Sequence, residues 1–83
     1  MNIEFASSFQ KDLKKIKKSP YFKTLKELIV GIQKNPFQTP TPYEKLKGIN
    51  IHTYSRRINI QHRLVYIVID SKIIFISCWG HYE

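Results

Sequence analysis

Apolar side chains recur along this chain with two different periods. From Phe9 to Ile32 the spacing is helical, and from about residue 51 to residue 80 it is the two-residue alternation of strands. Phe9, Leu13 and Ile16 fall at i, i+4 and i+7 and make one stripe of a first helix. Ser7 and Ser8 precede it as candidate caps. Lys11, Lys14, Lys15, Lys17 and Lys18 fill its other faces, and lysines late in a helix suit the negative end of its dipole. Ser19-Pro20 predicts a break and a restart, with Ser19 as cap and Pro20 at the first position of a second helix. Phe22, Leu25, Leu28, Ile29 and Ile32 form the second stripe, which Asn35-Pro36 stops. Two amphipathic helices joined this tightly make a helical hairpin, and their stripes need a shared surface to bury against.

The rest of the chain supplies that surface. Asn2-Ile3-Glu4-Phe5 alternates polar and apolar residues, which predicts a short first strand. Residues 35–43 are a proline-rich connector with neither period, and Gly48-Ile49-Asn50 reads as a turn. Three extended runs follow, near 51–60, 63–69 and 72–80, linked by Gln61-His62 and Asp70-Ser71. Links this short allow only antiparallel hairpins. The expected architecture is α+β, with two N-terminal helices packed on one face of a four- or five-stranded antiparallel sheet. The 83 residues suffice for a single domain, 1–83, and show no internal repeat or low-complexity tract.

Alternation also assigns faces. In the run after residue 51, Tyr54, Arg56 and Ile58 share one face, and Thr53, Ser55, Arg57 and Asn59 share the other. The second set is wholly polar and is expected to look away from the helices. In the next run the Leu64, Tyr66 and Val68 set belongs with the helices, which puts Arg63 beside Arg57 on the open face. In the last run the small apolar set Ile74, Ile76, Cys78 and Gly80 suits the core, so that Phe75, Ser77, Trp79 and His81 look outward. A bulge in any strand would reverse these assignments. The open face is thus expected to carry Arg57, Arg63, Trp79 and His81. Two cations, a stacking surface and an imidazole on one face suit a single-stranded nucleic acid.

Charge points the same way. Fourteen Lys and Arg against six Asp and Glu give a net charge of +8, so polyanions are the expected partners. The solitary Cys78 sits in an apolar run and reads as a small buried residue in a reducing compartment. Three histidines and one cysteine lack the spacing of a zinc site, and neither metal nor cofactor is expected. The N-terminus has no signal-peptide pattern, and no apolar run approaches the roughly 20 residues of a membrane span. The expected location is the cytoplasm, without a membrane partner.

The motifs Tyr54-Ser55-Arg56-Arg57-Ile58 and His62-Arg63-Leu64-Val65-Tyr66, with His81-Tyr82 near the end, resemble the YoeB/Txe toxins of bacterial toxin–antitoxin modules, within the wider RelE/ParE superfamily. Pro36-Phe37 and Tyr43-Glu44-Lys45-Leu46-Lys47 fit the same spacing, so the resemblance covers the whole chain. It departs from the family pattern at Glu83, which follows the His-Tyr end, and at Trp79-Gly80, where a basic and an aromatic residue are more usual. The resemblance implies a ribosome-dependent endoribonuclease, an mRNA interferase that cuts mRNA in the A-site codon of the 70S ribosome and so inhibits translation. It implies neutralisation by an antitoxin of the YefM/Axe type, and by analogy a homodimer. Glu44, Arg63 and His81 match the family's catalytic residues, Arg57 the second arginine of its Ser-Arg-Arg motif, and Tyr82 its terminal tyrosine.

Metal-independent RNA cleavage requires a base for the 2′-hydroxyl proton, a cation for the charged phosphorane and an acid for the leaving 5′-oxygen. Glu44, Arg63 and His81 fill these roles in that order, leaving a 2′,3′-cyclic phosphate and a 5′-hydroxyl. Arg57 and Lys47 are expected to hold flanking phosphates, with Tyr82 orienting the phosphate or stacking on a base and Trp79 beside a flanking nucleotide. A non-nucleolytic ParE-like gyrase inhibitor and a basic RNA-binding module without catalysis are the alternatives. The pairing of Glu44 with His81 argues against the first.

Overall fold

The structure, a computed structural model, describes residues 2–37, 43–45 and 52–80, with side chains outside the description at 43–45. The element order is β1 (Asn2–Phe5), α1 (Ser7–Ile16), α2 (Phe22–Lys34), β2 (Tyr43–Lys45), β3 (Thr53–Arg57), β4 (Arg63–Ile69) and β5 (Lys72–Ser77). The strands form one five-stranded sheet in the order β1-β5-β4-β3-β2. The pairings across the two short links, β3 with β4 and β4 with β5, are antiparallel, as those links require, and β2 also pairs antiparallel with β3. The pairing of β1 with β5 is parallel, which corrects the expectation of a wholly antiparallel sheet. Short links constrain only consecutive strands, and β1 and β5 are not consecutive. The chain between β1 and β5 includes both helices and three strands, long enough to return the last strand to the first in the same direction. Tyr43–Lys45 is a further correction, because Tyr43 belongs to an edge strand paired with Tyr54–Arg56 and not to the connector.

Both helices bury the stripes that periodicity marks. Phe9 and Ile16 of α1 and Leu25, Leu28 and Ile32 of α2 pack with Tyr54, Ile58, Leu64, Tyr66, Ile73, Phe75 and Cys78 in one core. Their termini differ from the expected caps. Ala6 is the N-cap of α1, with no side-chain cap bond, and Ser8 Oγ instead donates to the carbonyl of Ile76. Ser19 closes α1 and does not open α2. Its Oγ donates to the Ile16 carbonyl at 2.8 Å and accepts from the Tyr21 amide at 3.2 Å, and α2 begins only at Phe22. A hydroxyl just past a helix end satisfies a carbonyl left over by the last turn, so both helix termini meet at this one serine.

A bulge decides the faces of β5. Val65 pairs with Ser77 and Tyr66 with Phe75, so Ile76 is the extra residue. Before the bulge the core-facing residues are Ile73 and Phe75, both fully buried, whereas Ile74 and Ile76 are partly exposed. After it, Cys78 faces the core. The expected placing of Ile74 and Ile76 in the core with Phe75 outward is therefore reversed, while that of Cys78 stands. The bulged backbone is tied to the start of α1, where the Ala6 amide donates to the Phe75 carbonyl at 2.9 Å and Ser8 takes the carbonyl of Ile76. Phe5, Phe9 and Phe75 stack around this junction, with ring centroids 5.3 to 5.8 Å apart.

Candidate functional site

The site grows from β3 and β4. Alternation puts Arg56 and Arg57 on opposite faces, and the two arginines have different surroundings. Arg56 is 3% exposed on the helix side. Its Nη2 donates to the Pro36 carbonyl at 2.9 Å and its Nε to the Tyr66 hydroxyl at 3.3 Å, and that hydroxyl donates to the same carbonyl at 2.9 Å. Arg56 thus fastens the chain after α2 to the sheet. Arg57 is exposed and lines a cleft of about 240 Å³ with Thr24, Glu27, Leu28, Gly31 and Arg56.

Arg57 is paired directly with Arg63 across β3 and β4. Like charges opposite each other weaken a strand pair unless an anion offsets them. Arg63 is half-buried, and its Nε donates to Ser55 Oγ at 3.1 Å. Ser55 is fully buried, and so are Thr53 and Val65 nearby. This corrects the expectation that the Thr53–Asn59 set simply faces solvent. Only its far end, at Arg57, is open. Ser55, which sequence reasoning passed over, sets the direction of the Arg63 guanidinium.

The backbone brings other predicted residues to the same place. Glu44 is paired with Ser55 across β2 and β3, so its register position lies in the row of Ser55 and Val65, next to the row of Arg57 and Arg63. At the other side of Arg63, its own amide donates to the Gly80 carbonyl at 3.1 Å. Gly80 in turn donates its amide to His62 Nδ1 at 2.8 Å. Lys47, His81 and Tyr82 lie outside the described residues, as does the Glu44 side chain.

Trp79 is half-buried and packs against the core, which corrects its expected place on an open face. One side of its indole is stacked on the His62 ring at 4.0 Å and 21°. Cys78 keeps its expected inward place, so alternation alone would turn Trp79 outward; the residue lies beyond the end of β5 at Ser77, where packing on His62 and the core replaces the strand rule. His62 enters the sequence reading only as a motif residue, yet it is 7% exposed and joins the β3–β4 turn to Gly80. Its position one residue before Arg63 on a short link was the available signal.

Cys78 is fully buried, and its thiol is pushed up to about 12, first by desolvation and then by the carboxylate of Asp12. The Asp12 Oδ2 also accepts the Cys78 amide at 3.1 Å. This cysteine is a core residue and not a nucleophile.

The chain is similar to known proteins in both sequence and fold. The profile described as "YoeB-like toxin of bacterial type II toxin-antitoxin system" matches residues 5–82. A toxin YoeB from Synechocystis sp. is 39% identical over 75 residues, which cover 90% of this chain and 81% of that protein. The toxin YoeB of Escherichia coli K12 is 38% identical over 60 residues, 72% of this chain and 71% of its own. Among solved structures, the YoeB dimer from Staphylococcus aureus is 38% identical with a TM-score of 0.84, covering 99% of this chain and 98% of that one. A YoeB/ParE toxin from Agrobacterium tumefaciens is 29% identical with a TM-score of 0.88, covering 99% and 100%. The YoeB chain of a YoeB–YefM complex from Staphylococcus aureus is similar at 38% identity and a TM-score of 0.82, again covering 99% and 98%.

Proposed function

Since the chain belongs to the YoeB-like toxins of bacterial type II toxin–antitoxin systems, we propose that it is a ribosome-dependent endoribonuclease cutting mRNA in the A-site codon. The observation that carries the reading is the cross-strand pair Arg57–Arg63, with Arg63 braced by Ser55. Two guanidinium-bearing residues facing each other on a sheet weaken folding and strengthen binding to a phosphodiester. Arg63 stabilises the phosphorane, where charge develops in the transition state. Arg57, at the exposed end of the pair, holds a flanking phosphate, helped by Lys47.

Glu44 takes the 2′-hydroxyl proton and His81 protonates the leaving 5′-oxygen. The register of Glu44 opposite Ser55 and the bond from Arg63 to Gly80 support a common locus for these groups. Gly80 precedes His81 directly, and consecutive Cα atoms are about 3.8 Å apart. Tyr82 orients the phosphate or stacks on a base, and Trp79, through whatever ring surface the His62 stack leaves, meets a flanking nucleotide. The strand break leaves a 2′,3′-cyclic phosphate and a 5′-hydroxyl, and the reaction runs in the cytoplasm, where ribosomes are.

The +8 charge favours an acidic neutralising partner of the YefM type, which folds on binding. The solved YoeB–YefM complex at 38% identity supports that partner, and the solved YoeB dimer supports self-association.

The test is to incubate the protein with programmed ribosomes and map the mRNA ends. Breaks in the A-site codon with cyclic phosphate termini are expected, and a His81→Ala variant should lose about 10²-fold or more in rate. Intact mRNA with inhibited gyrase would show the ParE-like activity instead. Cutting at the wild-type rate by His81→Ala would remove the general-acid role.

A further inference from the structure

Gly80 is gripped by His62 and Arg63, where β4 begins. The Gly80 amide donates to His62 Nδ1 at 2.8 Å, and the Gly80 carbonyl accepts the Arg63 amide at 3.1 Å. Both bonds lie beyond the end of β5 at Ser77, so the strand ladder does not require them. His62 is itself held rigidly. Its ring stacks on Trp79 at 4.0 Å and faces Tyr21 at 6.0 Å. Its amide donates to Asn59 Oδ1 at 2.7 Å, and its carbonyl accepts the Ile58 amide at 2.9 Å.

The carbonyl of Gly80 belongs to the planar peptide that it shares with its C-terminal neighbour. Gly80 adopts φ +90°, the left-handed region, while a Cβ there would meet nothing within 4 Å. Glycine is therefore required by backbone conformation and not by space.

We propose that His62 is a positioning residue for the cleavage reaction. Its Nδ1 and the Arg63 amide act as a two-point clamp on Gly80, the residue directly before the proposed general acid His81, and so tie that backbone to the residue that supplies the cation. The proposal rests on the nuclease reading above. An accepting Nδ1 carries no proton, so the ring proton sits on Nε2. The clamp makes acid and cation one unit, since the residue that supplies the cation also supplies the second holding bond. Its contribution lies in geometry. A displacement of about 1 Å at a reacting group lowers a rate up to about 10²-fold.

The test measures kcat and KM for cleavage on programmed ribosomes, with Tm recorded beside them. His62→Phe keeps a ring for Trp79 and removes the acceptor. Its kcat should fall about 10- to 100-fold with KM unchanged. His62→Asn loses the ring but returns an acceptor near the Nδ1 position, and should recover most of that loss despite a lower Tm. Gly80→Ala, strained at φ +90°, should lower kcat in the same way.

A wild-type protein that cuts, with a His62→Phe variant of equal kcat, overturns the proposal and leaves the nuclease reading standing. So does a loss confined to KM, or a His62→Asn variant no better than His62→Phe. Should His62→Phe fail to fold, His62→Asn against Gly80→Ala decides, with equal kcat in both overturning the clamp. A wild type that leaves mRNA intact overturns the nuclease reading and this assignment together.

Discussion

The two faces of β3 and β4 are made by the same short segments, yet they obey different rules. On the helix side, Tyr54, Leu64 and Tyr66 are joined to the helix stripes in an apolar core, and the buried Arg56 donates hydrogen bonds to a carbonyl and a phenol. On the other side, Ser55 and Val65 are just as buried, but the row ends in two facing arginines. The first face meets its polar groups' needs internally. The second leaves a concentration of positive charge whose natural counterpart is an anion. Burial alone does not separate structure from function here. What separates them is whether the charged side chain is enclosed, as Arg56 is, or reaches the surface, as Arg57 does.

Substitutions can sharpen that contrast. The largest effect is expected on the core face. Phe75→Ala removes a fully buried ring at the junction of β1, α1 and β5, and should lower unfolding stability by about 3–5 kcal/mol in a denaturant titration. A drop below about 1 kcal/mol would mean that the core closes up around the gap, and that the bulge-set face matters less than claimed.

Arg63→Ala comes next, with a loss of about 10²–10³ in cleavage rate, or ~3–4 kcal/mol of barrier, and with Tm little changed. If Tm collapses and refolded protein still cuts, Arg63 belongs to the structural class. The neighbours Arg56 and Arg57 give the most direct comparison. Arg56→Ala should destabilise the fold by about 1.5–3 kcal/mol, because its charged hydrogen bonds to Pro36 and Tyr66 are lost. Arg57→Ala should leave stability within about 0.5 kcal/mol while weakening ribosome binding and its salt dependence. Equal thermal shifts for the two would erase the distinction between the faces.

The smallest effect concerns Cys78. Its folded thiol titrates at about 12, above the ordinary value of 9.0, so the unfolded chain loses its proton first as pH rises. The contribution to stability is therefore whole below about pH 9 and fades between 9 and 12. Cys78→Ala should flatten that alkaline loss, read from Tm against pH. Native protein at pH 8 should also resist thiol reagents, and rapid labelling there would show that this part of the core opens.

Much of this was legible in the sequence, and the reasons are local. Helix stripes such as Leu25, Leu28 and Ile32 follow from period alone, and the Arg63 and Arg57 pairing follows from a short link between alternating strands. The hinge at Ser19 was placed correctly but read in the wrong direction, since a serine between two helices serves either end and only geometry chooses. Of the candidate site, the sequence named Glu44, Lys47, Arg57, Arg63, Trp79, His81 and Tyr82. It did not single out Ser55 or His62, whose roles come from partners at sequence separations of 8 and 18.

By itself, then, the sequence determined both helices, the strands other than β2, the helix stripes, the shared face of Arg57 and Arg63 and the family. Those depend on periodicity and motif, which are properties of neighbouring residues. Only the tertiary structure decided that β1 returns to β5 in parallel, that a bulge at Ile76 turns Phe75 inward, and that Gly80 is held between His62 and Arg63. Each of these depends on contacts between distant segments. A one-residue change of register reverses a strand's faces without altering its pattern.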